Sequence, residues 1–260
     1  MARSVATKRK PPSRATDTGR VLYFYGVTES SSEPVFAEGV DGISAVEGLP
    51  CSGLVCWASR VNRTEFAGRL AENMENLEWL AVASVRHQRV VGEIASRTAI
   101  LPARFGTVFL SEASLEEHAR KNKRSLLAAF RRIADADEWG VKVFSVAHKS
   151  WAALRATSGS EYLRQKAAAF EAARGVLDPD VRSFAQALRR LAQASAAGGK
   201  VSGGQRDLEW QASFLLRRSR QKQWRAVLDR FAARWKKTRR IECTGPWPPY
   251  SFVSTDGNGS

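Results

Sequence analysis

A short segment near the C-terminus, Thr244-Gly-Pro-Trp-Pro-Pro-Tyr-Ser-Phe252, constrains the fold of this chain more than any other feature. Three prolines within four positions remove backbone donors and fix φ, so the segment should run extended and leave any sheet ladder. Its aromatic rings need a surface to pack against. Two interpretations stay open: an arm folded over the protein's own core, or a proline-rich ligand for an aromatic-lined groove on a partner.

The size and composition of the chain favour a folded protein of two domains. It has 260 residues, of which 43% are hydrophobic, enough to bury a sizeable core. Three cysteines, Cys51, Cys56 and Cys243, cannot form a closed set of disulfides and read as reduced thiols in a cytoplasmic protein. The basic N-terminus lacks the apolar stretch of a signal peptide, and we expect no transmembrane segment.

The formal net charge of +15 is the strongest signal in the composition. It permits nucleic acid, an anionic membrane surface or an acidic protein as a partner, and it also fits ordinary solvated faces. Residues 217–240 alone carry eleven lysines and arginines against one acid, Asp229. Binding of RNA or DNA is therefore the alternative function, although nucleic acid is not the partner we expect.

The first half of the chain predicts an α+β domain over residues 21–147. Strands are expected at 21–27, 53–61, 103–110 and 141–146, because these stretches are rich in β-formers and bounded by turn residues. Helices are expected at 73–98, from the spacing of its apolar residues, and after a cap at Ser111 or at Ser114, the latter with Glu117. This order predicts a ferredoxin-like antiparallel sheet with helices on one face.

The second half predicts a smaller, helix-rich α+β domain over residues 148–253, with the Pro/Trp-rich segment as its tail. Helices are expected at 160–174, at 179–197 and along a stripe from Trp224 to Trp235, and strands at 208–216 and 239–244. A Gly-rich connector, 196–204, separates two of these elements. Residues 1–20 are expected to be a disordered basic arm and 254–260 a disordered tail.

The sequence offers no catalytic or cofactor-binding pattern. Cys51 and Cys56 are not spaced as a zinc pair, and no two histidines lie four residues apart on a helix. Gly199-Lys200 lacks the first glycine and the hydroxyl residue of a phosphate loop, and there is no G-x-S-x-G elbow. We therefore predict a protein that is not an enzyme and has neither metal nor cofactor.

Four strings resemble the gas vesicle GvpL/GvpF family and occur in the expected order. They are Val21-Leu-Tyr-Phe-Tyr-Gly-Val27, Leu101-Pro-Ala-Arg-Phe-Gly-Thr-Val-Phe109, Glu138-Trp-Gly-Val-Lys-Val-Phe144 and the C-terminal segment, with a further match at Gly159-Ser-Glu-Tyr-Leu163. The resemblance implies a minor component of gas vesicle assembly, located at the gas vesicle in the cytoplasm. Its implied partners are the shell protein GvpA and other minor vesicle proteins, with an unknown oligomeric state.

The motif residues are the candidate site, either for binding a partner or for holding the fold. They are Arg104, Phe105, Gly106, Thr107, Thr244, Gly245, Pro246, Trp247, Pro248, Pro249 and Tyr250. For Gly106 we expect a strand bulge or a close backbone approach. The string from Arg104 to Phe109 also shares letters with the RNP1 pattern of RNA-recognition modules, but Phe105, Val108 and Phe109 cannot all face one side of a strand. The basic surplus after residue 216 and the first twenty residues depart from the family pattern.

Overall fold

A computed structural model describes residues 19–30, 38–146, 177–198 and 207–253 of the chain. In these ranges it contains two antiparallel sheets and five α-helices, which confirms the predicted α+β class. The predictions for the N-terminal arm, the helix at 160–174, most of the connector and the tail after residue 253 lie outside the described residues.

The first sheet is built around a central strand that is buried along almost its whole length. Its strands are β1 (Arg20–Thr28), β2 (Val46–Cys51), β3 (Leu54–Asn62), β4 (Ile100–Pro102) and β5 (Val108–Phe109). The order is β2-β3-β1-β4, with β5 also paired to β1. The strands predicted at 21–27 and 53–61 are confirmed. Of the one predicted at 103–110, only Val108–Phe109 is a strand, and residues 103–107 form the turn that follows β4.

Helices cover both faces of this sheet, so the predicted arrangement on one face is wrong. The helices of this half are α1 (Leu70–Glu75), α2 (Leu77–Arg97) and α3 (Glu112–Ile133). Tyr23 and Tyr25 pack with α2, whereas Leu22 and Phe24 pack with α3. The reason lies in β1, which is apolar at successive positions and therefore needs cover on both sides.

Caps set the starts of the two long helices. Asn76 has an extended conformation and its side chain accepts from the Glu78 and Trp79 amides, so the single helix predicted at 73–98 is divided there. Ser111 caps α3 in a reciprocal box with Ser114, and Glu117 has no part in it.

The second sheet holds the ferredoxin-like arrangement that we predicted for the first. Its strands are β6 (Ala136–Ser145), β7 (Ala194–Ala197), β8 (Leu208–Arg217) and β9 (Arg239–Trp247), and its helices are α4 (Pro179–Leu191) and α5 (Gln221–Trp235). Among the described elements, the order β7-β8-β6-β9 and the succession β-α-β-β-α-β are those of the ferredoxin-like fold. The strand expected at 141–146 to close the first sheet is β6 and pairs with β8 and β9 instead. The domain limits themselves stay a prediction.

Helix α3 connects the cores of the two sheets. One face of the second sheet packs on α4 and α5, through side chains such as Phe184, Phe214 and Trp224. From the opposite face, Leu215 joins the cluster that includes α3 and the first sheet. Side chains of both sheets therefore meet in one apolar cluster around α3.

Two boundaries in the second half differ from the sequence prediction. The helix expected at 179–197 ends at Leu191, and β7 follows as a strand that alanine composition alone did not indicate. Strand β9 continues to Trp247 because the ladder shifts between Glu138 and Gly140 on its neighbour. Pro246 lies in this irregularity on an edge strand, where its missing N–H leaves no ladder bond unmade.

Candidate functional site

The Arg104-Phe-Gly-Thr107 motif forms the turn between β4 and β5. The amide and hydroxyl of Thr107 both donate to the Arg104 carbonyl, at 3.2 Å and 2.8 Å. Gly106 has φ +82°, and a Cβ built there would meet its nearest side chains at an ordinary 3.7 Å. The turn conformation therefore explains the glycine, and the expected close backbone approach is wrong. Arg104 is exposed in this turn.

A buried histidine on α2 joins this motif to the C-terminal segment. His87 Nδ1 lies 3.0 Å from the Tyr23 hydroxyl, and Nε2 lies 3.4 Å from the Tyr250 hydroxyl. The Phe105 ring stands edge-on to the His87 ring at 5.7 Å, and the Gly106 amide donates to the Tyr23 hydroxyl at 3.1 Å. We call Tyr23, His87, Phe105 and Tyr250 the histidine junction.

The junction holds its histidine in the neutral form. Burial lowers the pKa of His87 to about 4, against a smaller opposing effect from a hydrogen bond with the Ala103 backbone. Burial also raises the pKa of Tyr23 and that of Tyr250. Since His87 is 2% exposed, water and substrates do not reach its ring. The arrangement therefore fixes two motifs together and does not suit general acid–base chemistry.

The C-terminal segment folds back over the protein's own core, as the first of the two interpretations predicted. Pro249 and Phe252 are buried, and Phe252 lies in the cluster around α3. Arg132 donates to the Phe252 carbonyl. The Gly245–Pro246 peptide is cis. The segment is thus an integral part of the fold from Pro249 to Phe252.

A carboxylate–serine contact fastens the segment to β6. The Ser251 amide donates to Glu138 Oε2 at 2.8 Å and its hydroxyl donates to Oε1 at 2.6 Å. Glu138 is buried. A buried carboxylate needs such donors, because an unsatisfied charge in the interior is costly.

Replacing Ser251 with alanine should lower the free energy of unfolding by roughly 1 to 3 kcal/mol, because one oxygen of the buried Glu138 carboxylate then loses its donor. Chemical denaturation of purified protein measures the change. Ser84→Ala is a matched control, since the exposed Ser84 hydroxyl donates only to a carbonyl of its own helix. Equal losses for the two variants would show that the Glu138 contact has no special weight.

The outer part of the segment is not enclosed. Trp247 is 50% exposed, and Thr244 and Pro246 are also exposed along β9. Strand β9 is an edge of the second sheet among the described strands. Six of the eleven candidate residues therefore fall into two groups: Phe105, Gly106 and Tyr250 meet at the histidine junction, whereas Thr244, Pro246 and Trp247 lie at a sheet edge.

Sequence reasoning did not identify His87, Glu138 or Ser251 as organising residues. A usable signal existed for His87, which occupies the buried stripe of α2 with Ala83, Val90, Val91 and Ile94. A histidine on such an apolar stripe is expected to have polar partners. The two tyrosines that contact His87, Tyr23 and Tyr250, come from distant parts of the chain.

Comparison with known proteins identifies the fold and the family. Residues 21–254 match the family described as "Gas vesicle synthesis protein GvpL/GvpF". The chain belongs to the gas vesicle GvpL/GvpF family. Gas vesicle protein L of Streptomyces sp. (strain CB03234) is 29% identical over an alignment of 253 positions that covers 91% of this chain and 94% of the relative. Gas vesicle protein F of Haloferax mediterranei is 24% identical, over 89% of this chain and 92% of the relative.

Solved structures show the same fold. GvpF from Anabaena sp. PCC7120 superposes with a TM-score of 0.66 at 18% identity, covering 90% of this chain and 96% of that structure. GvpF from Microcystis aeruginosa gives a TM-score of 0.64 at 16% identity, covering 90% and 98%. Because the family model matches residues 21–254, this GvpL/GvpF chain is a gas vesicle protein, as its motifs predicted.

Other kinds of site are not found in the part of this GvpL/GvpF chain that the structure describes. Within those residues no group of three or more histidine, cysteine or acidic side chains could hold a metal ion. None of the described helices is both long and apolar enough to cross a membrane. The described residues thus add no candidate to the two groups above.

Proposed function

We propose that this gas vesicle protein acts in vesicle assembly by binding the shell protein GvpA and other minor vesicle proteins, and thereby prevents shell-protein aggregation or nucleates the shell. Subunits with unpaired strand edges aggregate unless another surface covers those edges. A protein with a sheet edge and an apolar anchor beside it can supply such a surface by strand addition.

The observation that carries the proposal is the half-exposed indole of Trp247 at the end of edge strand β9. Tryptophan is a frequent anchor of protein interfaces, because it buries a large area at low cost in conformational entropy. Seven of the nine residues of β9 pair with β6 on one side, and no described strand pairs with the other. The outer edge of β9 thus presents backbone hydrogen-bonding groups and an aromatic anchor to the same partner.

The other sheet edges are poorer candidates. Strand β2 has six residues against the nine of β9, and like β9 it contains a proline that cannot donate to an added strand. Strand β7 has four residues and β4 has three, so each gives few hydrogen bonds. The length of β9 favours it as the docking edge.

Trp247→Ala should reduce co-purification of GvpA with this chain by about tenfold or more, as expected for loss of an aromatic anchor. The measurement is recovery of GvpA on the tagged chain after co-expression. Leu110→Ala is the matched control, because Leu110 is 61% exposed and follows β5 of the first sheet. Equal recovery with both variants and the wild type would contradict a role for this edge.

The alternative of nucleic-acid binding has support from charge and not from the first sheet. Arg217, Arg220, Lys222 and Arg225 are exposed next to or on α5, and among the described residues they make no ion pair. The aromatic residues of β1, by contrast, are at most 1% exposed and cannot stack on bases as in an RNA-recognition module. A gel shift with RNA and DNA at physiological salt tests the alternative directly, and tight binding there without binding of GvpA would favour it.

A further inference from the structure

The outward face of α2 is unusually apolar for a surface helix. Leu77 is 80% exposed, Val85 65% and Val82 48%, and Ala81 is exposed beside them. Positions 77, 81, 85, 88 and 92 are spaced by four, four, three and four residues, which places them along one side of the helix. The buried stripe of α2 is on the opposite side and packs on the first sheet. The outward stripe is therefore a second apolar surface on the same helix.

No contact within the described residues explains why position 92 is a glycine. A Cβ built on it meets no atom within 4 Å, and its φ is not in the left-handed region. Helix α2 continues through it to Arg97, so it does not mark the bend that such a residue can introduce. Glycine lowers helix stability relative to alanine, and in an outward stripe it offers a recess for a side chain from another helix.

We propose that a second copy of this chain docks antiparallel on the outward face of α2, with the two-fold axis between Val82 and Val85. In that register Val82 of each copy contacts Val85 of the other. Leu77 falls opposite position 90, between the outward residues Gln88 and Gly92 of the second copy. The exposed leucine thus meets the recess at Gly92, and the same contact occurs twice.

The same two-fold axis also pairs the charged residues beside the stripe. Glu78 and Arg89 are on the same flank of α2, each about 8 Å along the axis from the proposed two-fold. In an antiparallel pair the same flanks face each other, so Glu78 of one copy lies opposite Arg89 of the other. The Arg89 side chain is 52% exposed and lies 3.6 Å from Glu38, so it retains free surface for this contact. A self-complementary arrangement of apolar and charged groups favours a second copy over an unrelated partner.

The proposed dimer is weak and reversible. One helix face from each copy buries less area than a standard interface, so dissociation in the micromolar range is expected. The inference does not depend on binding of GvpA, since it uses no residue of β9 or of the C-terminal segment. Its failure would leave the proposed function untouched.

The first test is the mass of the full-length chain by sedimentation equilibrium over a range of concentrations. The wild type should shift toward the dimer mass as concentration rises, and Val85→Asp should weaken association by at least tenfold, because it buries a charge in the interface. Leu110→Asp is the control and should associate like the wild type. A monomer at all concentrations, or equal loss in both variants, overturns the proposal.

The second test identifies the register by mixing two charge variants. Glu78→Arg and Arg89→Glu each place like charges opposite each other in their own homodimers, whereas the mixed dimer has two attractive pairs. The mixture should associate on the order of tenfold more tightly than either variant alone, and the difference should shrink in high salt. No preference for the mixed dimer would contradict the antiparallel register.

Discussion

Gly245→Ala should lower the free energy of unfolding by roughly 2 to 5 kcal/mol. Gly245 has φ +132°, a conformation that side chains rarely adopt. A Cβ there would lie 2.8 Å from the Glu138 carbonyl oxygen and 3.2 Å from the Trp139 ring. The close approach therefore makes glycine necessary at the point where the C-terminal segment crosses β6.

Gly92→Ala is the matched control, and its expected effect on stability has the opposite sign. The same substitution there meets open space within a helix, and should raise the free energy of unfolding by up to about 1 kcal/mol. Denaturant titrations of both variants at low protein concentration measure the two changes. If Gly245→Ala proved as stable as the wild type, the contact of the segment with β6 would not be as described.

The second large effect is a loss of stability in acid caused by His87. Its pKa is about 4 in the folded protein and near 6.5 in the unfolded chain. Between these values the unfolded chain binds more protons, so stability falls as the pH decreases from about 6.5 toward 4. The stabilisation is fully present above pH 6.5, and roughly 3 kcal/mol of it should be lost at pH 4.

Comparison of the wild type with His87→Gln isolates this contribution. Unfolding measured at pH 7 and at pH 4 should show a difference that is smaller in the variant by roughly 3 kcal/mol. His118, whose pKa burial also lowers, is unchanged in the variant and therefore cancels in the comparison. An unaltered pH dependence would mean that His87 is not the buried neutral group described.

Local signals in the sequence predicted much of the secondary structure. The stripe on α3, with Leu115, Ala119, Leu126, Phe130 and Ile133, is buried at every position. Its spacing gave the buried face directly, because a helix repeats every 3.6 residues. The β-forming composition of 21–27 likewise gave the central strand.

These local signals could not predict contacts between residues that are distant in sequence. The composition of β6 marked a strand but could not say that it pairs with β8 and β9 and not with β1, since pairing depends on residues 64 to 109 positions away. The histidine junction was missed for the same reason, because Tyr23 and Tyr250 meet only after both ends of the chain are folded. The motif residues at the junction were found through the family resemblance, and their contacts came from the structure.

Binding of the shell protein is tested most directly by the solubility of GvpA expressed with and without this chain. The soluble fraction of GvpA should rise markedly when the chain is present, and GvpA should elute together with it in size-exclusion chromatography. A soluble yield of GvpA that does not change, with no co-elution, would contradict the proposed role in assembly.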